Sequence, residues 1–297
     1  MTVRVASIGE CMIELREQPD GTLTRSHGGD TLNTAVYLAR LGVKVDYVTA
    51  LGDDPWSDEM VAAWQAEGIG ATLVHRLPGR LPGLYIIQTN EAGERRFLHW
   101  RDSAAARLLF DQPDAPGLVQ ALAGYDLLYY SAITLAIYGD AAREHLFAAL
   151  AQARARGGRV AFDTNFRARL WPDLGHARAL YRRAFQSADI ILASTEDLAP
   201  LFDPADLPTH AELVLKLSHP AIRLHHAGAQ TLIQADPVAR VVDTTAAGDS
   251  FAAAYLAARL AGAPPPAAAR AGHRLAGVVV AYPGAIIPKS AMPEAPS

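Results

Sequence analysis

Apolar positions along the chain change period again and again. Val3 to Ile8, Val45 to Ala50, Leu127 to Ser131, Arg159 to Phe162 and Ile190 to Ala193 are short apolar runs, and they predict strands. Between them lie stretches where apolar residues recur every three or four positions. These predict helices over Thr31 to Leu41, Trp56 to Glu67, Ala141 to Ala155, Phe251 to Leu260 and Ala267 to Tyr282. Gly42, Gly68 and the pair Gly157-Gly158 follow the first three, where glycine ends a helix at little steric cost. Strands that alternate with helices predict an α/β fold. Its three αβα layers would enclose a mainly parallel central sheet.

Two stretches break this rhythm. Glu10 to Arg25 alternates in polarity around a Pro19 to Gly21 turn. Gly83 to Trp100 reads as a hairpin turning at Asn90 to Gly93. Antiparallel hairpins do not join a parallel sheet easily. They predict a small separate sheet, either a lid over a cleft or an inert edge cover.

Composition narrows the class. The 297 residues carry a formal charge of −4 without a block of like charge, which argues against a nucleic-acid partner. No apolar run reaches the ~18 residues of a spanning helix and none resembles a secretory leader, so no membrane partner is expected and a cytoplasmic location is. The single cysteine, Cys11, excludes an internal disulfide and is read as a buried strand residue. The sequence contains neither a G-x-x-x-x-G-K-[ST] loop nor an early G-x-G-x-x-G.

The candidate chemistry lies at Asp243 to Ser250, DTTAAGDS, just before a helix. Small residues Ala246, Ala247 and Gly248 allow a tight turn that leaves backbone N–H groups uncovered at a helix start. Such a group of donors favours an anion and suits a phosphoryl group in transfer. Asp249 lies in the first turn, where the helix end is expected to keep it ionised. Its two readings are a helix cap and a base for an attacked hydroxyl.

DTTAAGDSFAAAYLAARL resembles the C-terminal signature of the ribokinase-like (PfkB) carbohydrate kinases, and GGDTLNTAVYLARLG at 28–42 resembles their N-terminal one. GECMIEL, RLPGLY, GERRFLHWR, NFRARLW and GAIIP extend the similarity over Val3 to Pro293, toward the branch that acts on 2-keto-3-deoxy sugar acids. The resemblance implies a kinase domain over 1–297, with lid segments at about 10–27 and 82–101. It implies transfer of the ATP γ-phosphate to a sugar-acid 6-hydroxyl, with Mg²⁺, and a homo-oligomer joined through the lid. Asp249 would be the base, with the turn at Ala246, Ala247 and Gly248 and with Arg167 assisting.

Gly29, Asp30, Asn33, Tyr85, His99 and Trp100 match substrate positions in this reading, and Arg101 and Arg167 are the expected cations for the carboxylate. For Arg101 the alternative is a solvated surface arginine. Asn165, Ser194, Lys216 and His273 are assigned to ATP, and Asp197 to Mg²⁺ through water. A monovalent cation near Asp243 is left open.

The chain departs from the family at two places. Ser194 replaces the Asn of an Asn-x-x-Glu motif, with Asp197 for the Glu. Lys216-Leu217-Ser218 lacks the glycine of a Lys-x-Gly turn, in a shortened segment before Asp243. His219, His225 and His226 in that segment are read as surface residues. The rival readings are a fructose or ribose kinase of the same fold, and a non-catalytic sugar or nucleotide sensor on that scaffold.

Overall fold

The computed structural model describes residues 3–89 and 95–293. The turn expected at Asn90 to Gly93 and the last four residues of the tail lie outside the described residues. In chain order the strands are β1 (Arg4–Ile8), β2 (Met12–Glu17), β3 (Leu23–Gly28), β4 (Lys44–Leu51), β5 (Val74–Arg76), β6 (Gly83–Thr89), β7 (Arg95–Trp100), β8 (Leu127–Ser131), β9 (Arg159–Asp163), β10 (Ile190–Ser194), β11 (Glu212–Lys216), β12 (Ala221–His226) and β13 (Ala229–Gln234). The helices are α1 (Asp30–Arg40), α2 (Pro55–Ala66), α3 (Ala115–Leu122), α4 (Ala132–Ile137), α5 (Asp140–Ala155), α6 (Leu174–Ser187), α7 (Thr195–Leu198), α8 (Ala247–Leu260) and α9 (Pro265–Val279).

Among the described residues the large sheet has nine strands in the order β13-β12-β11-β10-β9-β8-β1-β4-β5. It is parallel from β5 to β11, and β12 and β13 run antiparallel at one edge. Alternate side chains feed two apolar layers. Tyr130, Phe162 and Leu213 pack on one face against α3, α5 and α6, while Tyr129, Leu192 and Val214 pack on the other against α1, α8 and α9. Helices therefore cover both faces, as the alternation of elements requires. No helix among the described residues is long and apolar enough to cross a membrane. Cys11 is buried as expected, and loss of water around its thiol pushes its pKa far up, but it lies just before β2 rather than in a strand.

The edge hairpin β12–β13 was not expected from the sequence. Its turn is Ala227-Gly228, with φ of 50° and 78°. Two positive φ values make a turn whose twist matches the flanking strands. Alanine is a poor advertisement for that conformation, so the local signal is weak.

The two stretches that broke the rhythm form a separate four-stranded sheet, ordered β3-β2-β6-β7. Parallel pairing of β2 with β6 joins the two hairpins into one lid. The chain crosses between body and lid near residues 10, 28, 83 and 101, and these crossings are packed tightly. A Cβ at Gly29 would lie 2.2 Å from the Glu10 carbonyl oxygen, and one at Gly83 would lie 2.8 Å from Met12 Cγ. Between the first and last crossings Arg101 pairs with Glu10, their side chains only 6% and 2% exposed. At the far lid edge Arg25 pairs with Glu59 of α2 and lies over Trp56.

Losing one partner of a buried ion pair leaves the other charge unpaired in low dielectric. Arg101→Met should therefore destabilise the fold by about 3–5 kcal/mol in urea titration, while Glu10→Met/Arg101→Met should recover most of that loss. A double variant as unstable as the single one would show that the pair is not the staple of the hinge.

Candidate active site

Two cavities open at the carboxyl ends of the parallel strands, where ligands bind in open α/β sheets. One of about 950 Å³ lies between lid and body, and one of about 690 Å³ lies between the β12–β13 hairpin and helices α8 and α9. Lys216, Thr244 and Gly248 line both, so the cavities meet at the start of α8.

That start is built from the DTTAAGDS turn. Ala246 caps the helix in the left-handed conformation, φ 58° and ψ 15°. For a residue with a Cβ this costs about 1–2 kcal/mol, a strain of the kind that clusters at functional sites. The Ala247 N–H bonds to the Thr244 carbonyl, and the Ser250 N–H to that of Ala246. The intervening N–H groups of Gly248 and Asp249 have no preceding helical turn to bond, and helix geometry directs them outward. The Lys216 ammonium lies against Gly248, where an added Cβ would come within 3.3 Å of it. Together they present N–H donors and a positive charge, a set suited to an anion, at the junction of the cavities.

Asp249 lines the larger cavity and accepts a 2.8 Å hydrogen bond from Asn33 Nδ2. Its pKa corrects the expectation of an ionised carboxylate. Loss of water around it, reinforced by the Asp30 carboxylate, pushes it up to about 8. The helix end does not outweigh these effects, because the first turn of α8 is packed into the cleft floor beside other acids. Asp30 accepts from Asn165 Nδ2 at 2.7 Å. Asp163 is buried, and burial raises its pKa while Lys216 opposes the rise. Asp197 accepts from Thr164 Oγ1 and the Phe166 N–H, each at 3.0 Å. Four carboxylates thus line one floor with Lys216 beside them, a balance that a bound cation would relieve. No three acidic, His or Cys side chains among the described residues are disposed to cage a metal directly.

On the lid side, the Tyr85 hydroxyl donates to Glu14 at 2.5 Å, and its ring stacks on His99 at 5.6 Å. Arg169 donates to His99 Nε2 at 2.7 Å, and burial together with that guanidinium pushes His99 down to about 4. Arg167 lines the same cavity and donates to its own neighbour's carbonyl, that of Phe166.

The larger cavity brings together Gly29, Asp30, Asn33, Tyr85, His99, Asn165, Arg167, Asp197, Lys216, Ala246, Gly248 and Asp249. Ala247 and His273 line the smaller one, His273 edge-on against Phe251. Three expected residues are elsewhere. Arg101 pairs with Glu10 at the hinge and lines neither cavity, although it stands near enough to Arg169 and Arg167 to feel their charge. Trp100 is 56% exposed and lines neither, because it alternates with His99 along β7 and faces the other way. Ser194 also lines neither, since its hydroxyl accepts from the Asp197 N–H as the cap of α7. Asn165, assigned to ATP, lines the lid-side cavity instead. His219 is exposed, as read from the sequence, and also lines the mouth of the smaller cavity. Sequence reasoning missed Asp163, Arg169 and Thr244. Asp163 stands two residues before NFRARLW, Thr244 lies inside DTTAAGDS without having been given a role, and Arg169 stands two residues after Arg167 in NFRARLW.

The model of the pfkB family of carbohydrate kinases matches residues 3–292. The chain belongs to that family. Among curated relatives of this kinase, 2-dehydro-3-deoxygluconokinase of Dickeya dadantii is 44% identical, covering 98% of this chain and 99% of the relative. The protein of that name from Escherichia coli K12 is 41% identical, over 99% and 100% of the two chains. The crystal structure of fructokinase with bound ATP from Xylella fastidiosa superposes with a TM-score of 0.81 at 23% identity, over 99% of this chain and 96% of that one, and so shares the fold.

If ionised Asp249 is needed for turnover by this kinase, kcat/KM should rise between about pH 6 and about pH 9 with a midpoint near the Asp249 value of about 8. Asp30→Asn removes a like charge and should move that midpoint to lower pH. Stability should move the opposite way to activity, falling as pH climbs from the ordinary carboxylate range through about 8, because only the folded state resists ionising Asp249. A midpoint that Asp30→Asn leaves in place would show that another group controls the profile.

Proposed function

We propose that this chain phosphorylates 2-dehydro-3-deoxy-D-gluconate at its 6-hydroxyl, with ATP as donor, giving 2-dehydro-3-deoxy-6-phosphogluconate and ADP in sugar-acid catabolism. The observation that carries the proposal is the meeting of two cavities at one anion-binding helix start, with a titratable carboxylate beside it. The high identity to 2-dehydro-3-deoxygluconokinases over nearly the whole chain supports the choice of sugar acid.

The sugar acid occupies the lid-side cavity and the nucleotide occupies the smaller, largely apolar one, beside His273 and Phe251. The sugar's hydroxyl oxygen attacks the γ-phosphorus, and the bond from that phosphorus to the ADP oxygen breaks in line. Asp249 takes the hydroxyl proton. A base titrating near working pH suits this transfer better than an ordinary carboxylate does. The Gly248 and Asp249 N–H groups and Lys216 stabilise charge on the transferring group without reorganising. Asn33 holds the base in place, and Asp30 and Asn165 supply polar contacts to the sugar.

Arg167 is the cation for the substrate carboxylate in this proposal, and Arg101 acts at the hinge. Mg²⁺ fits the acidic floor, with Asp197 holding it through water, and it would shield the phosphates' charge. No step is assigned to a monovalent cation at Asp243, whose carboxylate accepts from Thr245 and Gly284. The lid and body act as one kinase domain. The lid's outer face, where Leu84 pairs with Trp100 and Ile86 with Leu98, is what a second copy of the chain would cover.

A coupled ADP-release assay across 2-keto-3-deoxygluconate, fructose and ribose should show the sugar acid preferred, and preference for a neutral sugar would overturn the substrate assignment. Asp249→Asn should lower kcat about 10²–10⁴-fold while sparing substrate binding. Light scattering should report an oligomer that Trp100→Glu dissociates, whereas a monomeric wild-type chain would remove the lid interface from the proposal.

A further inference from the structure

Arg169 sits in the short 3-10 turn Ala168–Leu170 that follows β9, and it lines the lid-side cavity next to Arg167. Among the described residues neither guanidinium has a carboxylate within ion-pair distance. Acids that line the same cleft are bonded elsewhere: Asp197 to Thr164 and Phe166, Asp30 to Asn165, and Asp249 to Asn33. Burial and the neighbouring Arg167 hold the Arg169 guanidinium below its ordinary range. Two adjacent guanidiniums that reach solvent and line the cleft, neither with a carboxylate partner, suit an anion.

The second observation is where Arg169 is anchored. Its Nη2 donates to Nε2 of His99, across the gap from body to lid. Arginine always donates, so Nε2 of His99 is an acceptor and the ring is neutral. His99 is itself fixed, stacked at 20° against Tyr85, whose hydroxyl is tied to Glu14. The imidazole is therefore a preset acceptor on the inner face of the lid, and it meets a cation carried by the body.

We infer that Arg169 is a specificity-determining residue that joins Arg167 in gripping the substrate carboxylate, with His99 as the positioning residue that aims it. Recognition of the acid and docking of the lid then become one event. A neutral sugar leaves two like charges facing each other under the lid, which selects against it by repulsion as well as by lost contacts. Lys216, Thr244 and Gly248 at the junction serve the phosphates, so the arginine pair is left for the other end of the substrate.

This inference rests on the sugar-acid reading of the site. Its test uses the full chain, with 2-keto-3-deoxygluconate and the corresponding C1 amide as paired substrates. Arg169→Met should raise KM for the acid about 10–100-fold, the size expected for one charge-assisted hydrogen-bond donor, with kcat much less affected. KM for the amide should hardly move. His99→Phe keeps the stack and loses the acceptor, and it should reproduce part of the effect, while His99→Gln restores an acceptor and should restore affinity. The double variant Arg169→Met/His99→Phe should be no worse than Arg169→Met alone. Equal KM changes for acid and amide, or additive effects in the double variant, would overturn the inference. If the wild-type chain does not phosphorylate the acid at all, the proposed function falls and this inference with it. A wild type that phosphorylates the acid, beside an Arg169→Met variant that binds it as before, sinks this inference alone.

Discussion

The N-terminal turns of α1 and α8 face each other across the floor of the cleft, and Asn33 of the first donates a 2.8 Å hydrogen bond to Asp249 of the second. Thr34 reinforces the contact by reaching the Asp249 carbonyl. Two helix starts so close together bring two sets of N–H groups and two carboxylates, Asp30 and Asp249, into one small volume. The N–H groups favour anions. The carboxylates repel each other, and the buried Asp163 adds to the repulsion. The site resolves this conflict by keeping Asp249 protonated to unusually high pH and by placing Lys216 alongside. A carboxyl that titrates near neutrality results first from the loss of water around Asp249 and then from the acids crowded beside it at the helix start.

The rest of the fold holds that junction steady and covers it. The parallel strands end together at the cleft, so Asp163 at the end of β9 and Lys216 at the end of β11 arrive from different parts of the chain at the same place. Of the two dry layers, the one on the Tyr129 face fixes both helices that bear Asn33 and Asp249. At the opposite end of the same strand and helix, Glu212 bonds Tyr255 and Arg259 and ties β11 to α8. The lid is a different kind of structure. It is a thin sheet with an exposed outer face, held by a buried ion pair at the hinge and by contacts at its edges.

Much of this was legible in the sequence. The strand and helix alternation predicted the layered sheet, and nearly every expected element is present within a residue or two at its ends. The turn from Asp243 to Ser250 stands at a helix start between two cavities, as its small residues suggested. The edge hairpin β12–β13 was not legible, because its turn uses an alanine with positive φ, a conformation that alanine does not announce.

The one-dimensional pattern by itself determined which segments are strands and helices and which backbone turn can present N–H groups, since these depend on neighbours a few residues apart. It named Arg101 and Arg167 as cations equally well. Only the tertiary structure separated them, by burying Arg101 against Glu10 and bringing Arg169 up to His99, seventy residues away along the chain. It also decided the state of Asp249. A local helix start favours the charged form, but desolvation and the field of Asp30, more than two hundred residues distant in sequence, favour the neutral one. Electrostatic energy depends on distance and burial in space, and neither quantity is written in residue order.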